Sequence, residues 1–153
     1  MNRSRYVNRP IDKTDRALIT ALTENGRVTF KDLAEQIDLS SPSVTERIRK
    51  LEDSSAIQSY TITINPKALG LNIEAHVRFY AIPGEVKRVD QMLKDSPEVI
   101  KAVRVTGKDC FLAMVLVREL EDIETMTERF ERFAATDVAI IQSTTVANRL
   151  PKF

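Results

Sequence analysis

The sequence predicts an α+β chain in two parts, a helix-turn-helix followed by a β-α-β-β-α-β unit. Three observations carry that prediction. Residues 29 to 52 read as two short amphipathic helices joined by a tight turn, the second opening on a serine cluster. Near Asn65-Pro66 the apolar periodicity changes, from helical spacing before it to mostly strand alternation with two helices after it. The order of elements after that point is the ferredoxin-like split βαβ plan.

Taken in order, the first helix is expected over about Lys13 to Glu24. Asp12 is its N-cap and Asp15 stands at N3, near the positive end of the helix dipole. Leu18, Ile19 and Leu22 form one apolar stripe, and Asn25-Gly26 supplies a left-handed stop. Thr29 caps the second helix with Asp32 at N3, and Leu33, Ala34 and Ile37 face inward. Asp38-Leu39 makes the turn, with Leu39 plugging the core. Ser40 or Ser41 caps the third helix, where Pro42 is tolerated because first-turn N–H groups have no intrahelical partner. Val44, Ile48 and Leu51 recur at i, i+4, i+7 and bury, which leaves Ser43, Thr45, Glu46, Arg47, Arg49 and Lys50 on the other faces.

Ile57 to Asn65 reads as a strand, since Tyr60 to Ile64 is β-rich and alternates. Pro66 ends it, and Pro66 to Gly70 is a helical turn or loop. A strand alternating Ile73, Ala75, Val77, Phe79 with Glu74, His76, Arg78, Tyr80 follows, broken by Pro83-Gly84. Val86, Val89 and Leu93 stripe a helix that ends at Ser96-Pro97. Val99 to Thr106 and Cys110 to Val117 are strands around a Gly107-Lys108-Asp109 turn. Leu120, Ile123, Thr127, Phe130 and Phe133 mark a second helix, and Val138 to Val146 the last strand. The expected organisation is a basic arm over 1–9, a helix-turn-helix domain over 10–56, a hinge strand and linker over 57–70, and a ferredoxin-like domain over 71–153.

Composition narrows the function classes. A chain of 153 residues with 42% apolar and 29% charged residues can bury a real core. No apolar run approaches a bilayer span, and the basic N-terminus lacks the apolar stretch of a secretory signal. The single cysteine, Cys110, permits no intrachain disulfide and suits a reducing cytoplasm. Net charge is only +1, but the cations cluster: Arg3, Arg5 and Arg9 in an arm without acids, and Arg47, Arg49 and Lys50 within four residues. A near-neutral body with two basic spots fits nucleic-acid binding of modest affinity per subunit, hence a need for oligomers. The four glycines are scattered and form no phosphate loop, His76 has no Cys/His cluster around it, and no catalytic set is visible. No metal or cofactor is expected.

Ile11-Asp12-x-x-Asp15, the Asn25-Gly26-Arg27 corner, Leu33-Ala34, Leu39-Ser40, Arg47-Ile48-x-x-Leu51-Glu52 and Asn65-Pro66-x-x-Leu69-Gly70 occur in that order. Pro97-Glu98-Val99 and Val105-Thr106-Gly107-x-Asp109-Cys110 follow in the second half. Together they resemble the Lrp/AsnC family of transcription regulators, from about Ile11 to Val146. The resemblance implies a winged helix-turn-helix, a hinge strand, and a C-terminal domain (the RAM domain) that dimerises and senses amino acids. It departs at Ser55, where the family usually has glycine. A serine there has to take a left-handed backbone or end the helix differently.

Expected functional residues follow from these readings. Ser40, Ser41, Ser43, Thr45, Glu46, Arg47, Arg49 and Lys50 are the candidate DNA-contacting set, able to meet base edges or phosphates in a major groove. The alternative for them is a solvated charged face. The arm with Arg3, Arg5, Tyr6 and Arg9 is either a minor-groove or phosphate contact or a plain tail. The resemblance implies an amino-acid site involving Thr106, Gly107 and Asp109, where a carboxylate can pair with an α-ammonium group. The alternative is a simple hairpin turn. The expected partners are double-stranded DNA, an amino-acid effector and further copies of the chain, as a dimer and by resemblance a tetramer or octamer. Two rivals stand beside this reading. One is an amino-acid-sensing module without DNA binding. The other is an enzyme, because some sirohaem decarboxylases look like this family; with His76 as the sole histidine it is the weaker.

Overall fold

The computed structural model describes residues 10–107, 110–147 and 149–152. The basic arm with Arg3, Arg5, Tyr6 and Arg9, and Asp109 in the candidate effector loop, lie outside the described residues. The chain divides into two compact units, Met1–Thr63 together with Asn148–Phe153, and Ile64–Ala147.

The first unit holds three helices, α1 (Lys13–Glu24), α2 (Phe30–Ile37) and α3 (Ser41–Asp53). Their starts are fixed by side chains that satisfy first-turn N–H groups. Asp12 accepts from the backbone N–H of Asp15 at 2.7 Å, and the Asp15 carboxylate accepts in return from the Asp12 N–H, a capping box. The Thr29 hydroxyl accepts from the Asp32 N–H at 3.1 Å, and Ser40 accepts from the Ser43 N–H at 3.4 Å. Leu18, Leu33, Ala34, Val44, Ile48 and Leu51 are buried together between the three helices. Each large side chain so buried contributes about 1.5–3 kcal/mol.

Helix ends differ from one another for local reasons. Asp38 closes α2 in the left-handed region, at φ 56°, and lets the chain turn directly into Leu39 and the α3 cap. After α1 the expected left-handed stop does not occur. Asn25 is extended at φ −142°, and its side chain accepts from the Arg27 N–H at 3.0 Å. That Asx turn supplies the reversal that the left-handed residue would have given. Ser55 follows α3 at φ 58°, so the departure from glycine is met by a left-handed serine.

The segment 57–65, expected as a strand, pairs into no sheet among the described residues. A strand needs a ladder partner, and none of the described residues supplies one. Tyr60, Ile62 and Ile64 accordingly stand exposed. A short 3₁₀ turn, Pro66–Leu69, follows and closes on left-handed Gly70.

The second unit contains β1 (Ile73–Ala81), α4 (Val86–Asp95), β2 (Val99–Arg104), β3 (Phe111–Val117), α5 (Leu120–Glu128) and β4 (Ala134–Ile140). The sheet is antiparallel with strand order β2-β3-β1-β4, as the ferredoxin-like plan requires. Ala75, Val77 and Phe79 of β1 with Phe111, Ala113, Val115 and Val117 of β3 form one face. They bury against Val89 and Leu93 of α4 and Ile123 and Met126 of α5. Phe79 and Phe130 meet with ring centroids 4.7 Å apart.

The last helix and the last strand are displaced from the sequence reading. The helix stops at Glu128 rather than reaching Phe133, and the strand runs from Ala134 to Ile140 rather than from Val138 to Val146. Phe130 and Phe133 continue the helical apolar spacing, but they sit in successive turns that swing Phe130 under the sheet. Ala134 to Ile140 then ladders along β1 from Ala81 back to Ala75. Pairing to a central strand overrides the poor strand propensity of Ala134-Ala135.

Candidate nucleic-acid interface

α3 presents the candidate DNA-contacting set on two different surfaces. With Val44, Ile48 and Leu51 buried, the helical repeat leaves Ser43, Thr45, Glu46, Arg49 and Lys50 pointing outward, and all five are exposed. Ser40 and Ser41 stand exposed at the entry to the helix. The Ser40 and Ser43 hydroxyls lie 2.8 Å apart and share a hydrogen bond, while the Thr45 hydroxyl donates back to the Ser41 carbonyl at 2.9 Å. Lys50 pairs with Glu46 one turn earlier, and Arg49 approaches Asp53 at 3.9 Å with both side chains largely exposed. Such exposed i,i+4 pairs stabilise by only about 0.3–0.5 kcal/mol and exchange readily for another anion.

Arg47 is separate from these. It lies on the flank of α3, about 70° round from the buried stripe at 100° per residue. Its Nη1 donates to Asp12 Oδ2 at 2.7 Å and to Asp15 Oδ1 at 2.9 Å. Asp15 is fully buried, whereas the Arg47 side chain keeps 30% exposure. The Asp12 carboxyl is held below its ordinary range, first by the Asp15 N–H and then by Arg47. The hydrogen bonds that Arg47 donates to Asp12 and then to Asp15 raise it above the usual guanidinium value. No sequence signal links residues 32 and 35 positions apart, so this pairing was not legible beforehand.

A second unanticipated interaction lies at the far end of α3. The Tyr60 hydroxyl donates to Glu52 Oε1 at 2.8 Å, and the Ile57 N–H donates to the Leu51 carbonyl at 3.1 Å. Burial of the phenol, then the Glu52 carboxylate, push the Tyr60 hydroxyl up to about 12. The chain leaving α3 is thereby held to it through Tyr60.

In the second unit, Thr106 and Gly107 are exposed in the loop between β2 and β3, which is closed by the Val105 N–H donating to the Cys110 carbonyl at 3.2 Å. Gly107 has φ 113°, a conformation that side-chain-bearing residues rarely adopt. Cys110 is half-buried at the base of β3. His76 is exposed on the sheet face opposite the helices, between Met114 and Ala139 on the neighbouring strands. Among the described residues no group of three or more His, Cys, Asp or Glu could hold a metal ion, and no helix is long and apolar enough to cross a membrane.

A side-chain-capped helix-turn-helix ahead of a ferredoxin-like unit defines the class of two-part helix-turn-helix transcriptional regulators. The chain belongs to the Lrp/AsnC family within that class: residues 11–52 match the AsnC-type helix-turn-helix domain and residues 74–151 the Lrp/AsnC ligand binding domain. The transcriptional regulator Rv2324 of Mycobacterium tuberculosis is 31% identical over 143 residues, 92% of this chain and 94% of its own length. LrpC of Bacillus subtilis overlays with a TM-score of 0.86 at 27% identity, covering 92% of this chain and 100% of LrpC. A feast or famine regulatory protein of Mycobacterium tuberculosis, Rv3291c, was solved with L-methionine; it overlays with a TM-score of 0.83 at 28% identity, covering 93% of this chain and 99% of its own.

Proposed function

We propose that this regulator reads double-stranded DNA with α3, as a homo-oligomer whose assembly answers to an amino acid or a related small molecule. The observation that carries the reading is the division of α3 into a buried stripe and an outward face of hydroxyls and exchangeable cations. Ser40, Ser41, Ser43, Thr45 and Glu46 are suited to base edges near the helix start, and Arg49 and Lys50 to phosphates or guanine. In a dimer, two such helices would read half-sites about 10 bp apart or a multiple of it.

Dimerisation through the second unit is supported by the open face of its sheet. Leu112, Met114 and Leu116 of β3 are only half-buried there, beside Glu74, His76, Arg78 and Tyr80 of β1. A sheet with helices on one face only leaves the other to be covered. Thr106, Gly107 and Asp109 form the proposed effector loop, supported by the left-handed Gly107 and by the methionine-bound relative. A cytoplasmic location follows from the proposed role.

The test is fluorescence anisotropy on the regulator's own upstream DNA across a salt series. Binding that weakens linearly in log salt supports the reading, and no binding at low salt overturns it in favour of a sensing module without DNA binding. A thermal-shift screen of the twenty amino acids, with mass-resolved oligomer sizing, tests the sensor. Ligand bound to the native state must raise stability, so a flat screen counts against an amino-acid effector.

A further inference from the structure

We infer that Arg47 contacts no DNA and instead positions α3, as a clamp whose two other members are Asp12 and Asp15. The inference rests on the reading of α3 as the DNA-contacting helix. The three cations of the Arg47–Lys50 cluster look equivalent in sequence, yet their partners differ in kind. Arg49 and Lys50 face exposed acids on their own helix, which a phosphate can displace at little cost. Arg47 faces two acids at the start of another helix, one fully buried, through a single Nη1 at 2.7 and 2.9 Å. Moving it to a phosphate would break both of these hydrogen bonds, including the one that Arg47 donates to the fully buried Asp15. It would also free the Asp12 charge beside an approaching polyanion.

The same acids form the capping box of α1, so the clamp ties the first turn of α1 to the middle of α3. Beneath it, Leu18, Val44, Ile48 and Leu51 share the core and decide which face of α3 is buried. The two directed hydrogen bonds from the helix flank add a fixed point to that packing, and so refine the aim of Ser43, Glu46, Arg49 and Lys50. Arg47 is therefore a positioning residue.

Salt-dependent anisotropy on the full chain separates a positioning cation from a DNA-touching one. Arg49→Gln and Lys50→Gln should each reduce the slope of log affinity against log salt by about 0.9 for every phosphate that the altered side chain no longer neutralises. Arg47→Gln should weaken binding about fivefold to tenfold with the slope unchanged. Asp12→Asn gives the sharper sign test, because asparagine still caps α1. Removing an acid near DNA tightens binding if charge alone matters, whereas opening the clamp weakens it. A tighter Asp12→Asn, or an Arg47→Gln slope reduced like that of Arg49→Gln, would overturn the inference. Thermal melts of the two variants and their double mutant, without DNA, must show coupling between Asp12 and Arg47; additive destabilisation would also overturn it. Absence of DNA binding by the unaltered chain would instead overturn the DNA reading, and the positioning role with it.

Discussion

Ser55→Gly should stabilise the helix-turn-helix unit. Ser55 holds φ at 58° directly after α3, and its N–H donates to the Glu52 carbonyl at 2.8 Å, a bond glycine would keep. A left-handed backbone costs an ordinary L-residue roughly 1–2 kcal/mol. Glycine avoids that cost but loses about 0.4–1 kcal/mol through the larger freedom of its unfolded chain. At the middle of these two ranges the net gain is about 0.5–1 kcal/mol. Unfolding entropy near ~2.1 cal/mol/K per residue turns this into a Tm rise of about 3–7 °C if the unit melts alone. If all 153 residues melt together, the rise shrinks to about 2–3 °C. Calorimetry with a refolding scan measures it. Ser55→Ala is the control, since alanine meets the same left-handed cost and should melt below Ser55→Gly by the difference worked above. Ser55→Val should lower Tm, because a β-branched side chain tolerates this region worst. DNA affinity should not change, because glycine preserves the turn and the exit of α3. A neutral or destabilising Ser55→Gly would refute the claim that the left-handed serine is strained.

Phe79→Ala removes a fully buried ring packed 4.7 Å from Phe130, and should cost about 3–5 kcal/mol, read as a lower urea midpoint of the second unit. Tyr60→Phe should delete the tyrosine that titrates at about 12 in an ultraviolet pH titration. An unfolded tyrosine releases its proton near 10, so between about 10 and 12 the native state binds more protons and stability falls as pH rises. Tyr60→Phe should remove that decline and leave stability below about pH 10 little changed, as expected for a ring 52% exposed. Gly107→Val forces a β-branched residue to φ 113°, although no atom within 4 Å would meet the added Cβ. It should abolish any amino-acid thermal shift while leaving the circular dichroism spectrum intact; a retained shift would remove this loop from the effector site.

What could be read from the sequence was what is decided locally. Asp12 and Thr29 were legible as caps, and Ser40 as one of two candidates with Ser41, because a cap and its N3 N–H are three residues apart. The stripe of Val44, Ile48 and Leu51 and the alternation along β1 follow from helix and strand periods. Ser55 was marked in another way, by the resemblance to a family that usually has glycine at that position. Local reasoning failed where a distant partner decides. Ala134 became a strand because β1 offered a ladder, and 57–65 stands unpaired because none of the described residues offers one. In the candidate interface the three cations of α3 were read as one group. Only the fold reveals that one of them is held by acids from the other end of the unit.

If α3 reads DNA as proposed, that difference bears on how a nearly neutral chain would hold it. The first unit carries 12 cations against nine acids and the second 11 against 13, so the favourable charge lies where α3 is, but the excess is small. With Arg47 committed to Asp12 and Asp15, α3 itself offers two cations, each of which must first leave a neighbouring acid. Two neutralised phosphates give a salt slope of only about −2 on B-form DNA, a weak and short-lived grip. Joining a second copy doubles the slope, and it makes the second binding event intramolecular, which raises avidity by about 10²–10⁴ without any new type of interaction. A regulator built this way gains more from a change in how its copies are joined than from any change at the DNA helix. A small molecule that controls assembly would therefore act at the point where occupancy of DNA is most sensitive.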